Sequence, residues 1–366
     1  MTVHATLSRS WKGTGRAGLS VLAIVLSATI GITLLACALD VRGLPAEVQH
    51  CTRFAAPHGS DRGEGSSSLP FRTVQRLAST LAPGEIGCLR AGTYAATASS
   101  GLVLRMTRAG RRGAPITIRS APGERARLRG SVALQPQASN VTLEHLTIAG
   151  RGVGNTIKFY GSDQALLSSY VTNGGRGRSC LLLGNPQFPS VRRPIVRGNT
   201  FHDCGDRAYG NKDHAIYAAV VVGGEIVDNV IAGPAAYAIQ FYPDAHRMRF
   251  AHNVVDGGGS VRGGIVFGGD RNDASSHNVV EYNVIAYAAT WNITSSWEGP
   301  RGTGNVVRNN CLWAARKGNV ENGKGFVAVD NRVAPPAFVN RAGHDYRLGP
   351  DSGCLGVVKY DTARSR

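Results

Sequence analysis

The stretch NKDHAIYAAVVVGGEIVDNVIAG, Asn211 to Gly233, opens with Lys212, Asp213, His214 and Tyr217, four side chains that exchange protons. Downstream, FYPDAH adds Tyr242 and Asp244, and GGIVFGG is followed by Asp270 and Arg271. Upstream, TIKFYG supplies Lys158 and Tyr160. Such groups suit removal of a proton beside a carboxylate. A base takes the proton, a cation or donor steadies the enolate, and a phenol or water protonates the leaving oxygen. On a uronic acid those steps are an elimination; return of the proton from the other face is an epimerisation. His214 or Lys158 is the candidate base, Tyr217 or Tyr242 the acid, and Arg271 the carboxylate partner. Each also has a plainer reading. His214 can cap a strand, the tyrosines can pack beneath loops, and Lys158 can be a solvated strand residue. Asp213, Asp244 and Asp270 can be turn formers.

A repeat must position these residues. The pattern apolar-x-x-Asn-x-apolar recurs in IVRGNTF, IVDNVI, FAHNVV, VEYNVI and VRNNCL, with Asn199, Asn229, Asn253, Asn283 and Asn310 spaced by 30, 24, 30 and 27 residues. Between them lies a second recurring strand: NTIKFYG, SCLLLG, HAIYAA, YAIQFYP, GGIVFGG and WNITSSW. A period of this length with several short strands indicates a solenoid, because one coil cannot bury its own apolar face. Asparagine tolerates the left-handed backbone of a sharp bend, and stacked amides can hydrogen-bond from coil to coil.

Alternation along the recurring strand turns Ile157, Leu181, Ile216, Ile239, Ile265 and Ile293 inward. The following residues, Lys158, Leu182, Tyr217, Gln240, Val266 and Thr294, then form an outward column. Two positions on, a second column runs Tyr160, Gly184, Ala219, Tyr242, Gly268 and Ser296. With coils about 4.8 Å apart, an extended glycan can lie along this face. Lys158, Tyr160, Tyr217, Gln240 and Tyr242 form its polar and aromatic strip, and Asp213, Asp244 and Asp270 are candidates for its rim. Trp291, Trp297 and Trp313 either stack on sugar faces or shield the core.

The totals narrow the setting. The chain has 366 residues, 47 of them glycine, and an apolar fraction of 42%. With many short β-branched clusters, that favours an all-β fold with a sizeable core. The net charge of +17 rests on 35 arginines against six lysines. It suits an acidic glycan, and its spread along the chain also fits a coding bias. No basic helix, zinc-finger spacing or aromatic RNA-binding motif accompanies it, so nucleic acid is not expected as a partner.

Arg9, Lys12 and Arg16 precede the uncharged stretch GLSVLAIVLSATIGITLLACAL, the pattern of an export signal. Three fates fit it: cleavage at ACA (Ala36 to Ala38), lipidation of Cys37 in LLAC, or retention as a membrane anchor with the large domain outside. All three place the domain outside the cytoplasm. Six cysteines then remain, and an even count in an exported chain suggests disulfides. Fifteen pairings are open; pairing nearest neighbours gives Cys51–Cys88, Cys180–Cys204 and Cys311–Cys354. No Cys/His spacing supports zinc.

The repeats resemble a right-handed parallel β-helix of the pectate-lyase-like superfamily, over roughly Cys51 to Leu355. PHGSD, then PFRTVQRLASTLAPGE as an amphipathic helix over the first coil, CLRAGTY and APITIRSAPGERARLRG match the usual front of that fold. PAFVNRAGHDYRLGPDSGCLG is similar to its closing segment. The resemblance implies lyase, hydrolase, epimerase or binding function without choosing among them. The clustered aspartates of polygalacturonase-type hydrolases, the Asp-rich calcium signature of pectate lyases and the DPH motif of mannuronan epimerases are all missing from the sequence. Hydrolysis by two carboxylates is therefore disfavoured. No metal is required by this reading, although paired aspartates can hold Ca²⁺, as in some β-helix lyases.

The expected organisation is a basic cytoplasmic segment (1–17), a signal or anchor (18–38), a linker (39–50), an N-terminal cap with first coils (51–115), β-helix repeats (116–330) and a closing segment with tail (331–366). The expected function is that of an exported monomer acting on an acidic polysaccharide as a lyase or epimerase. The alternative is a cell-surface glycan-binding module without chemistry.

Overall fold

A computed structural model of the chain describes residues 50–358, apart from 97–99, 153, 211 and 322–323. The expected signal, anchor and lipidated Cys37 lie outside the described residues. Among the described residues no helix is long and apolar enough to cross a membrane.

Three parallel sheets of 11, 10 and 10 strands run along the stack of coils formed by the described residues, and the coils contribute strands to all three. We call them sheets I, II and III, where II carries the recurring strand, from Leu102–Met106 to Gly318–Val320, and III runs from Gly92–Ala95 to Arg332–Val333. The molecule is thus the expected parallel β-solenoid. Among the described residues there is one α-helix, Val74–Thr80, which follows the first strand, Arg53–Ala55, and is shorter than the 70–85 stretch that suggested it. Thr73 caps it by accepting the Arg76 backbone N–H, and it buries Val74, Leu77 and Ala78. Pro83 follows two residues beyond the helix's C-cap, where the chain can no longer continue helically.

The inward column is in register across six coils: Ile157, Leu181, Ile216, Ile239, Ile265 and Ile293 are Cα partners in succession. Each is fully buried. Like side chains stack on like because each coil repeats the last; Phe241 and Phe267 lie with ring centroids 5.4 Å apart and nearly parallel.

The asparagines form a ladder at the turn between sheets I and III. Asn199, Asn229, Asn253, Asn283 and Asn310 are all buried. In each, the backbone N–H and the side-chain Nδ2 both donate to the Oδ1 of the next, at 2.8–3.1 Å. Asn331 closes the series. The bend's left-handed backbone belongs to the residue before each asparagine: Gly198, Asp228, His252, Tyr282, Asn309 and Asp330 have φ between 52° and 67°. The expectation that asparagine itself takes that conformation is therefore displaced by one position. Its amide is needed inside, where the turn leaves backbone groups without strand partners.

All three disulfides join nearest neighbours: Cys51–Cys88, Cys180–Cys204 and Cys311–Cys354. The last ties down an antiparallel hairpin, Phe338–Asn340 with Asp345–Leu348. Its Tyr346 and Leu348 cover Val230, Val254 and Val284 on the outer face of sheet III. Arg341 adds a two-pronged pair to Asp256, 2.8 Å at each contact.

Replacing Asn253 by Ala removes the acceptor of the Asn229 amide donors and the donor to the Ile226 carbonyl. At about 1–3 kcal/mol for each buried group left unpaired, the variant is expected to lose ~3 kcal/mol or more in urea denaturation. A loss below about 1 kcal/mol would show that the ladder is not what holds adjacent coils in phase.

Candidate functional site

The second sheet contains one strand longer than the rest, Ile239–His246, whose residues alternate buried and half-buried throughout. Its outward side chains are Gln240, Tyr242, Asp244 and His246. The inward set is Ile239, Phe241, Pro243 and Ala245. A cis peptide joins Tyr242 to Pro243, and here the strand carries one residue more than its neighbour: Ala218 pairs with Phe241, but Val220 pairs with Asp244. Tyr242 projects from this irregularity across Gly268, where a Cβ would lie 2.9 Å from its ring. A side chain on residue 268 would displace Tyr242.

His246 and Asp244 form a dyad, with Nε2 2.6 Å from the carboxylate Oδ1. With Nε2 donating, the lone pair of Nδ1 is left free to accept a proton. Tyr242 Oη lies 3.5 Å from Glu298 Oε1. Burial, then the charges of Glu298 and Asp270, raise its pKa. Tyr217 is more deeply set; burial, then Tyr242 and Asp270, push it up to about 12. Both phenols therefore remain protonated donors near neutral pH.

The outward column is in register as expected: Lys158, Leu182, Tyr217, Gln240, Val266 and Thr294 are successive partners. Its exposure is not. Leu182, Val266 and Thr294 are buried. Leu182 belongs to a small apolar cluster outside the sheet, with Ala219 and Val220, flanked by Tyr160 and Tyr217. Tyr160 also packs on Phe188 at 4.9 Å, and burial raises its pKa. Lys158 is half-buried at the upstream end of the strip, and desolvation lowers its pKa.

Two expected site residues lie beneath the surface. His214 is 1% exposed. Its Nδ1 accepts the Tyr237 backbone N–H at 3.4 Å, and desolvation, opposed by a hydrogen bond with Gln240, takes its pKa down to about 3. A neutral ring so enclosed cannot reach a chain lying on the sheet; it supports Gln240 and packs edge-on to Tyr217. Asp213 is equally buried. Its Oδ2 accepts the Asp206 N–H, and desolvation raises its pKa. It too makes no surface contact.

The other expected residues are scattered around the strip. Asp270 accepts the Asn272 and Asp273 backbone N–H groups at 2.9 and 2.8 Å, which lower its pKa and make it a turn former. Arg271 is exposed in the same turn. Trp297 packs against the core and donates from Nε1 to the Lys324 carbonyl at 2.6 Å; Trp291 lies over Gly318. His246 and Glu298 were missed by the sequence reading. The alternation in IQFYPDAH carries the signal for His246, whereas Glu298 becomes a neighbour of Tyr242 only through the stacking of coils 56 residues apart. Among the described residues no group of three or more His, Cys, Asp or Glu side chains is placed to hold a metal ion.

No protein-family model matches the chain. Over 107 residues it is 30% identical to an uncharacterized protein, YwoF, of Bacillus subtilis (strain 168), a stretch that is 29% of this chain and 22% of that protein. The chain therefore matches only about a fifth of that relative's length. Among solved structures it is similar to the pectate lyase Pel9A, with a TM-score of 0.60 at 14% identity, covering 83% of this chain and 91% of that one. A rhamnogalacturonan lyase gives 0.56 at 14%, covering 78% and 87%. XylC in complex with xylose gives 0.56 at 12%, covering 78% and 70%. The chain has the parallel β-helix fold of these pectate-lyase-like proteins.

The buried His214 has a measurable consequence. Its folded pKa lies below the value of about 6.5 expected in the unfolded chain, so the unfolded state binds the extra proton between those values. Stability is fully present above about pH 6.5 and is lost as pH falls toward 3. Replacement by Gln, neutral throughout, is expected to shrink the drop in urea stability between pH 7 and pH 4 by on the order of 3 kcal/mol. An unchanged drop would mean that water reaches the ring.

Proposed function

We propose that this protein acts outside the cytoplasm on an acidic polysaccharide, removing a proton beside a uronate carboxylate to give elimination or epimerisation. The observation that carries the reading is the strand Ile239–His246, which presents a donor amide, a phenol, a carboxylate and a histidine on one face, with the histidine held by the carboxylate. The fold shared with lyases that act on pectate and rhamnogalacturonan supports it. So do three disulfides behind an uncharged apolar N-terminal stretch.

In this reading His246 replaces His214 as the base, with Asp244 fixing its tautomer. It takes the proton at the carbon bearing the carboxylate. In elimination the electron pair forms the ring double bond as the glycosidic C–O bond breaks, and Tyr242 protonates the departing oxygen. Tyr217 and Gln240 bind hydroxyls on the flanking coil and sugar. Glu298 and Asp270 repel a uronate carboxylate, so the charged edge of the sugar faces away from them. Arg271 is the cation assigned to that carboxylate. Lys158, at the upstream end of the strip, keeps its assignment as an alternative base, and desolvation lowers its pKa.

A glycan-binding module without turnover is the second reading. It is favoured by the character of the face: apolar ground formed by Leu182, Ala219 and Val220 lies between the polar groups of the strip.

Incubation of the full-length chain with pectate, alginate, glycosaminoglycans and neutral glucans, followed by ultraviolet absorbance and a reducing-end assay, separates the readings. New unsaturated ends on an acidic polymer are expected. His246→Ala should then lower turnover by about 10²-fold or more while glycan binding is retained, and Tyr242→Phe should act in the same direction. Reducing ends without double bonds would replace elimination by hydrolysis. Where no double bonds appear, exchange of solvent deuterium into the polymer would reveal epimerisation. Binding without any of these signals would establish the module.

A further inference from the structure

Arginines on the outer face of sheet I are partnered across coils. Arg119 meets Glu144, Arg197 meets Glu225, and Arg249 and Arg308 share Glu281. Sheet III differs. A groove of about 510 Å³ on its outer face and adjoining loops is lined by Arg127, Arg129, Arg151 and Arg176, with Thr172 and Asn173 and a run of small residues. No acidic residue lines it, and all four arginines are exposed. They come from three consecutive coils: Arg127 and Arg129 pair with Thr147 and Ala149, and these in turn pair with Tyr170 and Thr172. Arg151 follows the middle strand and Arg176 the last.

We propose that this groove is a second binding site, which takes the repeated anionic groups of an extended acidic polysaccharide and is separate from the strip on sheet II. Three coils span about 10 Å, the length of roughly two sugar units, so cations recur along the groove on the scale at which charges recur along such a chain. Guanidinium groups present paired N–H donors that match a carboxylate or a sulfate. The Thr172 hydroxyl and the backbone of the glycine-rich loops can serve neutral hydroxyls. The groove lining has no aromatic platform on which a nucleic-acid base would stack, and no large apolar side chain to enter a lipid surface. The site requires no catalysis, so it goes beyond the function proposed above and stands or falls apart from it.

The test is calorimetric titration of the full-length chain with polygalacturonate and heparin, with a neutral dextran and single-stranded DNA alongside, at low and high salt. Changing Arg127, Arg129, Arg151 and Arg176 together to Gln should weaken acidic-glycan binding by at least about tenfold, since charge-assisted paired contacts are lost. A control with the same loss of charge, at the exposed Arg62, Arg111, Arg301 and Arg316, should change it less than about threefold, through the screened long-range field alone. The His246→Ala chain should keep the groove's contribution whether or not turnover is ever seen. Loss for one glycan only supports the site and identifies its anion. Equal loss in the control, or no loss in the groove variant, overturns the site. DNA binding as tight as the glycan's, and lost with the same four residues, overturns the glycan assignment. Should the fourfold variant not fold, Arg129→Gln and Arg151→Gln, measured singly, carry the same comparison.

Discussion

The buried asparagine ladder sets the conditions for everything else in this molecule. At one corner of each coil the backbone bends too sharply to stay in strand pairing, and the freed N–H and C=O groups point inward. An amide supplies both a donor and an acceptor in the space of one side chain, so Asn229 can bond the coil before it and the coil after it. An unpaired polar group there would cost more than most single apolar contacts return. From Asn199 to Asn331 the ladder therefore holds each coil in phase with the next at one corner. With that phase set, Ile216 lies over Leu181 and under Ile239, and the outward residue next to each falls into a column, until the one-residue irregularity at Tyr242–Pro243 shifts the register. The loops can vary in length, as the spacings of 24 to 30 residues show, because the ladder does not depend on them.

Columns alone do not make a site; burial decides what each member can do. His214 and Tyr217 lie three residues apart, yet the first is enclosed and neutral and the second keeps its edge at the surface. Desolvation is the leading cause of the shift in both, and it acts in opposite directions on their pKa values because it disfavours the charged form of each. The base of the proposed reaction is therefore placed one coil along, at His246 beside Asp244, in place of the enclosed His214. At Tyr242–Pro243 this strand carries one residue more than its neighbour, and it runs on to His246.

Charge follows a similar division. A positive excess of 17 would be uninformative if it were spread evenly. On sheet I the cations are neutralised in pairs that run along the stack, an arrangement that a solenoid makes easily because charges on adjacent coils sit one spacing apart. The four arginines lining the groove beside sheet III have no acidic residue among the lining. The contrast within one molecule, more than the total, is what marks that groove.

The sequence by itself determined the coil repeat, the inward column and the register of the residues next to it, while it left fifteen cysteine pairings open and the structure selected the nearest-neighbour set. The repeat and its columns rest on short-range rules: alternation along a strand and a recurring amide. Those rules are local and repeat identically, so a stack of any height obeys them. The sequence did not determine exposure. Lys158, Val266 and Thr294 occupy equivalent columnar positions, but the first is half-buried and the others covered. Nor did it place the left-handed residue, which precedes the asparagine because the amide itself is needed inside. The contact between Tyr242 and Glu298 and the gathering of four arginines from three coils were decided only by the tertiary structure. They depend on how variable loops fold back over the sheets, and that is settled by packing between segments whose separation in sequence carries no period.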